Sequence, residues 1–522
     1  MEDMVKIKKE VNDEVGDKDK KKHTKLLEDY EIESEGVKTK VEIIEVEHTP
    51  EYKLLIPEVD VATSALLDDI KERLIGAIEI TSEAFEPEVM DKLKEEFKKD
   101  ASLLIENELP NLDENIKNHF IVGLIHELLG LGDIEFLLDD PQIEEVVINS
   151  SKEPVRVYHK KYGWLKTNLQ PESEAQIQNY ANTIARRVGR EITTLNPLLD
   201  AHLITKDRAN AIISPIATKG NTITIRKFAR DPWTVTDFIQ NKTSNAEIMA
   251  LIWLAIQYEM NIIISGGTGS GKTSFLNVCM PFIPPNHRII SIEDTRELQL
   301  PKFLYWCPLT TRQPNPEGKG EVTMLDLLIN SLRMRPDRII MGEIRKKREA
   351  EVLFEAMHTG HSVYSTLHAD TCAQTITRLT NPPIDIPESM LDSVHLNIVM
   401  FRDRRRGIRR VYEVGEFAQD PNSEKIKFIP NILYKWNPRN DKIERTKASA
   451  SLYEKIGTHT GLNPKEIEGE IKLKKDILNW MLKNKIRQIE DVGKIMNRYY
   501  MDMETVIKIV KKGKSPKKLL EK

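Results

Sequence analysis

Apolar positions change their spacing several times along the chain, and each spacing predicts an element. Between residues 59 and 131 they recur every three or four residues, at Leu66, Leu67, Ile70, Leu74 and Ile78, then at Leu93, Phe97, Leu104 and Ile105. That is the period of helices with one buried face. Gly130-Leu131-Gly132 closes the helical stretch. The period then shortens. Ile143–Asn149 and Val155–Tyr158 read as strands, with a long helix near Ala175–Arg187 and further strands near Ala211–Ile213 and Thr222–Arg226. Arg230-Asp-Pro-Trp233 reads as a linker. From Thr234 to about Phe401 short apolar strands alternate with helical segments, as a parallel sheet covered by helices requires. Asn397–Phe401 and Arg410–Phe417 bracket Arg402-Asp-Arg-Arg-Arg-Gly407 and read as a hairpin with an exposed basic tip. From about Lys447 helical spacing returns, with Leu478, Trp480, Met481, Leu482 and Ile486, on a lysine-rich background.

One turn in this pattern carries chemistry. The strand Ile262–Ile264 runs into Ser265-Gly-Gly-Thr-Gly-Ser-Gly-Lys-Thr273, and a helical segment follows from Ser274. Strand, glycine-rich loop and helix are the context of a phosphate-binding loop. Glycines let backbone N–H groups curl around phosphate oxygens, and the helix points its positive end at the same oxygens. Gly266, Gly267, Thr268, Gly269, Ser270, Gly271, Lys272, Thr273 and Ser274 are therefore the expected nucleotide cradle. Lys272 supplies charge for the β- and γ-phosphates, and the Thr273 hydroxyl is a ligand for Mg²⁺.

Composition bounds the rest. The 522 residues suggest several domains. Residues 1–55 are dense in Lys, Glu and Asp, so they read as a charged, flexible tail. With 77 basic and 82 acidic residues, the net charge of −5 argues against a protein dedicated to coating nucleic acid. Cys279, Cys307 and Cys372 form no paired motif, so neither a disulfide framework nor a cysteine zinc site is expected. The N-terminus has no apolar signal core, and no uncharged apolar run approaches the ~18 residues of a membrane span.

Two apolar strands after the loop end in acids. Arg288–Asp294 closes on Glu293 and Asp294, with Glu297 next, and Pro336–Glu343 closes on Glu343. Carboxylates at strand C-termini beside a phosphate loop lie where open α/β sheets bind ligands. There they can hold a cation or its waters, or polarise an attacking water. His358, His361 and His368 flank a third strand, and a hydrogen-bonding role at the nucleotide edge fits them better than metal binding.

These segments together resemble the secretion ATPase superfamily, the motors of type II and type IV secretion, type IV pili and archaella. Gly266–Thr273 resembles its Walker A box, Ser291–Glu297 its aspartate box, Arg333–Arg345 its Walker B box and Thr359–Ala369 its histidine box, in family order. Thr295 stands where the family commonly has proline. The resemblance extends upstream through Leu131–Asp140, Glu144–Asn149 and Thr224–Phe228, and the archaeal branch is the more similar. It implies an α/β chain: a helical segment (56–131), an N-terminal α/β, PAS-like domain (132–229), a linker (230–233), a RecA-like ATPase domain (234–420) and a mostly helical C-terminal extension (421–522). It further implies ATP and Mg²⁺, with Glu343 orienting the hydrolytic water. Glu293, with Glu297, would serve as metal-water ligand or base, and His361 and His368 would sense the γ-phosphate. Arg208 and Arg226 are the arginines expected to stabilise the transferring phosphoryl group, with Arg345 a further candidate. Hinge motion at the linker would be the power stroke. The implied assembly is a homohexamer at the inner face of the membrane, passing its stroke to a polytopic platform protein, without nucleic acid. Two other readings remain open at this level: a hexameric nucleic-acid translocase, for which Arg402–Arg410 is the best evidence, and a slow ATP-binding regulator.

Overall fold

A computed structural model describes residues 24–520, apart from 58, 78–86, 204, 229–230, 315–317, 424–425 and 450. Residues 1–23 of the expected tail, Ile78 and Arg230 therefore lie outside the described residues. The chain divides into two compact units, Met1–Arg230 and Asp231–Lys522.

The first unit opens with strands, not a tail: β1 (Thr24–Ser34), β2 (Val37–Val46) and β3 (Thr49–Leu55). Helices α1 (Val61–Ala77), α2 (Pro87–Glu108), α3 (Glu114–Leu129) and α4 (Ile134–Asp139) follow. Then come β4 (Ile143–Ile148), β5 (Arg156–His159), β6 (Gly163–Thr167), α5 (Glu174–Arg187), β7 (Leu198–His202), β8 (Arg208–Ile212) and β9 (Thr222–Arg226). The nine strands form one sheet in the order β1-β2-β3-β6-β5-β4-β9-β8-β7. The tail reading fails at residues 24–55 because the charges there have period two. In β2, Val37, Thr39, Val41 and Ile43 are buried while Lys38, Lys40 and Glu42 face outward. On the outer face Lys40 pairs with Asp29 at 3.1 Å and Glu42 at 3.0 Å. On the inner side the hydroxyls of Tyr30 and Tyr52 donate to the buried Asp140 carboxylate at 2.7 and 2.9 Å, fastening the strands to the end of α4. Helices α1 to α3 share a core of Ile70, Leu74, Phe97, Ile105, Phe120 and Leu124.

The second unit starts with α6 (Val235–Gln240) and α7 (Ala246–Gln257) and continues β10 (Ile262–Gly266), α8 (Lys272–Cys279), β11 (Arg288–Glu293), β12 (Tyr305–Thr310), α9 (Met324–Ser331), β13 (Arg338–Met341), α10 (Lys347–His358), β14 (Ser362–Leu367), α11 (Cys372–Thr380), β15 (Leu396–Asp403) and β16 (Ile408–Gln419). Two more strands, β17 (Phe428–Asn437) and β18 (Lys442–Arg445), precede α12 (Ser451–Thr460), α13 (Pro464–Lys483), α14 (Ile489–Met501), α15 (Met503–Lys511) and α16 (Lys517–Leu520). The sheet order is β12-β11-β13-β14-β10-β15-β16-β17-β18. Pairing is parallel from β12 to β15 and antiparallel from β15 to β18. The extension is thus helical from Ser451 onward, as expected for most of its length. The residues before Ser451 instead add strands to the sheet, because β17 hydrogen-bonds along β16 from Glu413 to Gln419.

The central strands β10, β13 and β14 are buried at every position, as a sheet covered on both faces demands. The C-terminal helices belong to the same core as the phosphate-loop strand: Ile262, Ile264, Trp253, Phe282, Trp480, Met496, Tyr499 and Leu519 form one buried cluster. Trp253 stacks on Phe282 at 5.4 Å and meets Tyr499 edge-on at 4.7 Å.

Candidate functional site

The phosphate loop is shaped by what its glycines must avoid. Gly266 has φ +151°, and a Cβ there would lie 2.5 Å from the Met400 carbonyl oxygen and 2.6 Å from Ser270 Oγ. Gly271, the residue preceding α8, is left-handed at φ +93°, a conformation glycine adopts without strain. Ser270 closes the turn, its backbone N–H and Oγ donating to the Gly267 carbonyl at 3.3 and 2.8 Å. Thr268 and Ser274 are exposed and Thr273 is half-buried on the first turn of α8.

Lys272 is 9% exposed. Its Nζ donates to the carbonyls of Gly266 at 2.9 Å and Gly267 at 3.1 Å, and lies 3.4 Å from His368 Nδ1. Burial lowers its pKa, against the opposing pull of Glu343, Asp370 and Glu297. His368 Nε2 lies 3.1 Å from Glu343 Oε1. Burial and the neighbouring Lys272 charge push the histidine below its ordinary range, so the ring is neutral near pH 7. A neutral ring satisfies both neighbours when Nε2–H donates to Glu343 and Nδ1 accepts from Lys272. Glu343 Oε2 in turn accepts from Arg345 Nε at 2.9 Å, and Arg345 Nη1 donates to Asp294 Oδ2 at 2.5 Å. One polar chain therefore runs Lys272–His368–Glu343–Arg345–Asp294.

Sheet register brings these groups to one edge. Ile292 of β11 pairs with Met341 of β13, Met341 with Ser365 of β14, and Leu367 of β14 with Ser265 of β10. Glu293, Glu343, His368 and Gly266 thus all sit at the C-terminal ends of parallel strands. Glu293 is 3% exposed. Its Oε1 accepts the backbone N–H groups of Glu297 at 2.9 Å and Leu298 at 3.1 Å, while Oε2 is buried and has no hydrogen-bond partner among the described residues. Burial raises its carboxyl to about 7. Glu297 itself is exposed. Among the described residues no cluster of three His, Cys, Asp or Glu side chains could hold a metal. The Thr273 hydroxyl and the unpartnered Glu293 oxygen are each of the oxygen-donor type that Mg²⁺ takes beside waters and phosphate oxygens.

Two expected residues are not brought together. His361 precedes β14 and His368 follows it, so the strand's six residues hold them about 20 Å apart. His361 lies at the far edge from the phosphate loop, where its ring contacts Thr359 Oγ1 and the Ala356 carbonyl, both at 3.3 Å. Arg208 and Arg226 belong to the first unit. They face each other in register on β8 and β9, both exposed, with Arg208 bidentate on Asp200 at 3.1 and 2.7 Å and Arg226 opposite Glu145.

Sequence reasoning missed the other side of the loop. Arg409 Nε donates to the Gly269 carbonyl at 3.1 Å, and Arg402 Nη1 lies 2.7 Å from where a Cβ on Gly269 would stand. Arg410 is 6% exposed and bidentate on Asp441 at 2.8 and 2.9 Å. The basic run is thus not one exposed tip. The missing signal was which strand neighbours β10: once β15 does, its end and its hairpin partner fall beside the loop.

The second unit is a RecA-like P-loop domain, with acids and a histidine on neighbouring strand ends. The chain belongs to the type II/IV secretion system protein family, whose model matches residues 145–403. Uncharacterized protein MJ0900 of Methanocaldococcus jannaschii is 37% identical over 74% of this chain and 70% of its own length. Type IV secretion system protein PtlH of Bordetella pertussis is 30% identical over 49% of this chain and 86% of its own. The crystal structure of the VirB11 ATPase from the Brucella suis type IV secretion system is 27% identical, over 54% of this chain and 91% of that one, with a TM-score of 0.28.

Proposed function

We propose that the protein is an ATP-hydrolysing motor that powers secretion or the assembly of a pilus-like filament. The observation that carries this reading is the joined chain Lys272–His368–Glu343 beside the buried carboxylate of Glu293, at the phosphate-loop edge of a parallel sheet. Lys272 and the loop N–H groups bind the phosphates. Thr273, with Glu293 on the neighbouring strand end, would hold Mg²⁺, which would supply charge neutralisation for the phosphate oxygens. Glu343 orients the attacking water, and His368 ties it to Lys272, so that moving the lysine onto a phosphate also frees the histidine. Glu293, near neutrality, takes up or releases a proton close to physiological pH. Arg208 and Arg226 supply transition-state charge from the first unit, of the same or a neighbouring subunit of a homohexamer. Relative motion of the two units would then be passed to a membrane platform protein. No helix among the described residues is long and apolar enough to cross a membrane. The proposed place of that contact is the inner face of the membrane, in the cytoplasm.

Arg410 is buried, and Arg402 and Arg409 turn onto the loop, so three arginines of the run that favours a nucleic-acid translocase are engaged within the chain, while Arg404, Arg405 and Arg406 stay exposed. The deciding experiment measures ATP binding and hydrolysis against protein concentration, with sizing by light scattering. Hydrolysis that rises as a hexamer forms, falls at least hundredfold in Glu343→Gln with ATP still bound, and disappears with binding in Lys272→Ala is the expected result. Full turnover by Glu343→Gln would overturn its role. Activity independent of assembly would undo the motor.

A further inference from the structure

The outer face of the phosphate loop is held by the β15–β16 hairpin. Strand β15 runs parallel to β10 with Gly266 paired to Met400, so the chain leaving β15 passes directly beside the loop. Arg402 and Arg409 then stand opposite each other in the antiparallel register of β15 and β16. Arg409 Nε donates to the Gly269 carbonyl at 3.1 Å, and its Cδ lies 3.4 Å from where a Cβ on Gly271 would be. Arg402 Nη1 covers Gly269 from the other strand.

Hydrogen-bonding one carbonyl has a consequence for the peptide behind it. A trans peptide is planar, so a C=O pulled outward turns the next N–H inward. The plane of Gly269–Ser270 is fixed in this way: its carbonyl faces Arg409 and its N–H points to the Gly267 carbonyl. Glycine at 267, 269 and 271 leaves this backbone free to turn otherwise, because no Cβ restricts it. The arginine removes that freedom from outside.

The hairpin is itself anchored at a distance. Arg410 is buried and bidentate on Asp441, in the turn between β17 and β18. Its Nη1 also donates to the Arg409 carbonyl at 2.8 Å and the Asn241 carbonyl at 3.2 Å. Trp436 Nε1 donates to the same Asp441 carboxylate at 3.0 Å. The guanidinium hydrogen bonds hold Asp441 down to about 2, ionised throughout the physiological range. The anchor passes from the late strands of the sheet through Arg410 to Arg409 and so to the loop.

We propose that Arg409, backed by the Arg410–Asp441 pair and flanked by Arg402, is a positioning residue that presets the phosphate loop for the nucleotide's phosphates from within the same chain. This deepens the nucleotide-binding reading of the loop and rests on it. The role differs from that of the first-unit arginines: Arg409 acts on the loop's shape before binding, and its loss weakens the binding of ADP as well as ATP.

The test is calorimetric titration of the full chain with Mg²⁺-ADP, alongside thermal melting without nucleotide. Arg409→Met keeps most of the apolar stem and removes the donor. It should bind ADP about tenfold more weakly, the effect of one charge-assisted hydrogen bond, while melting as the parent does. Arg409→Lys, which restores a donor, should recover much of the affinity. Asp441→Asn, remote from the loop, should weaken ADP in the same direction by a smaller factor. Arg405→Ala, on the exposed hairpin tip, should match the parent. Parent-like affinity in Arg409→Met, or equal losses in the methionine and lysine variants, overturns the proposal. Lys272→Ala separates the two readings. If it too binds ADP as the parent does, the loop is not the nucleotide site and the functional reading falls. If it loses ADP while Arg409→Met does not, only the positioning role falls.

Discussion

Nine strands make each of the two sheets, yet the sheets store their charges in opposite ways. In the first, exposed and buried residues alternate along β2 and β8, so charged side chains such as Lys38, Lys40 and Arg208 stand on the exposed face. In the second, β10, β13 and β14 are buried throughout, and ionisable groups gather where strands end. The difference decides what a charge means. At the end of an apolar parallel strand, an ionisable group such as Glu293, Glu343 or His368 stands out against its neighbours. On a half-solvated antiparallel sheet, Arg208 and Arg226 look like Lys38 and Lys40, and only their partners separate them.

A charge placed inside each sheet tests this contrast most severely. Ile290→Asp, in the fully buried stretch of β11, should leave the second unit unfolded, because an unpaired buried carboxylate costs several kcal/mol. Loss of the cooperative melting transition by circular dichroism is the readout. A smaller loss should follow from Ile43→Ala in β2. Its side chain is fully buried, so truncation should cost about 3 kcal/mol of the first unit's stability in urea denaturation. A cost near zero would return residues 24–55 to the tail they were expected to be.

The third effect is pH-dependent. Burial lifts Glu293 from 4.5 to about 7, so the folded protein holds a proton that the unfolded chain has released. The stability this group contributes is complete below pH 4.5 and is lost as pH rises through about 7. Glu293→Gln, neutral at every pH, should therefore lose less stability than the parent over that rise, measured by urea midpoints without nucleotide. Identical slopes would mean that Glu293 is ionised in the fold. The smallest effect belongs to the solvated face. Lys38→Ala breaks an exposed pair with Glu31 at 3.9 Å and should cost under ~0.5 kcal/mol.

The same contrast explains what the sequence made legible. Ile262–Thr273 is a local unit, with strand, turn and helix all specified by neighbours in the chain, so its fold and chemistry could be read directly. Glu343 and His368 could be read because they end apolar runs. Three features could not. The order of β1–β3 depends on Tyr30 and Tyr52 reaching Asp140, contacts more than eighty residues apart in sequence. The place of His361 depends on strand direction, which puts it at the edge away from the loop. The work of Arg409 depends on which strand lies next to β10, a matter of topology that no local pattern encodes.

The shared core of the second unit also bears on how the protein is made. The phosphate loop leaves the ribosome soon after Gly266, but Trp253 beside it waits for Tyr499, and Leu519 completes the cluster. Trp253 of α7 is therefore made some two hundred and fifty residues before Tyr499, the ring it meets edge-on, and the outer helical layer over α7 closes only when the C-terminal helices have been translated. The outer layer of this unit is in this sense post-translational in timing, and shielding of the apolar face of α7 during synthesis falls to whatever holds the emerging chain.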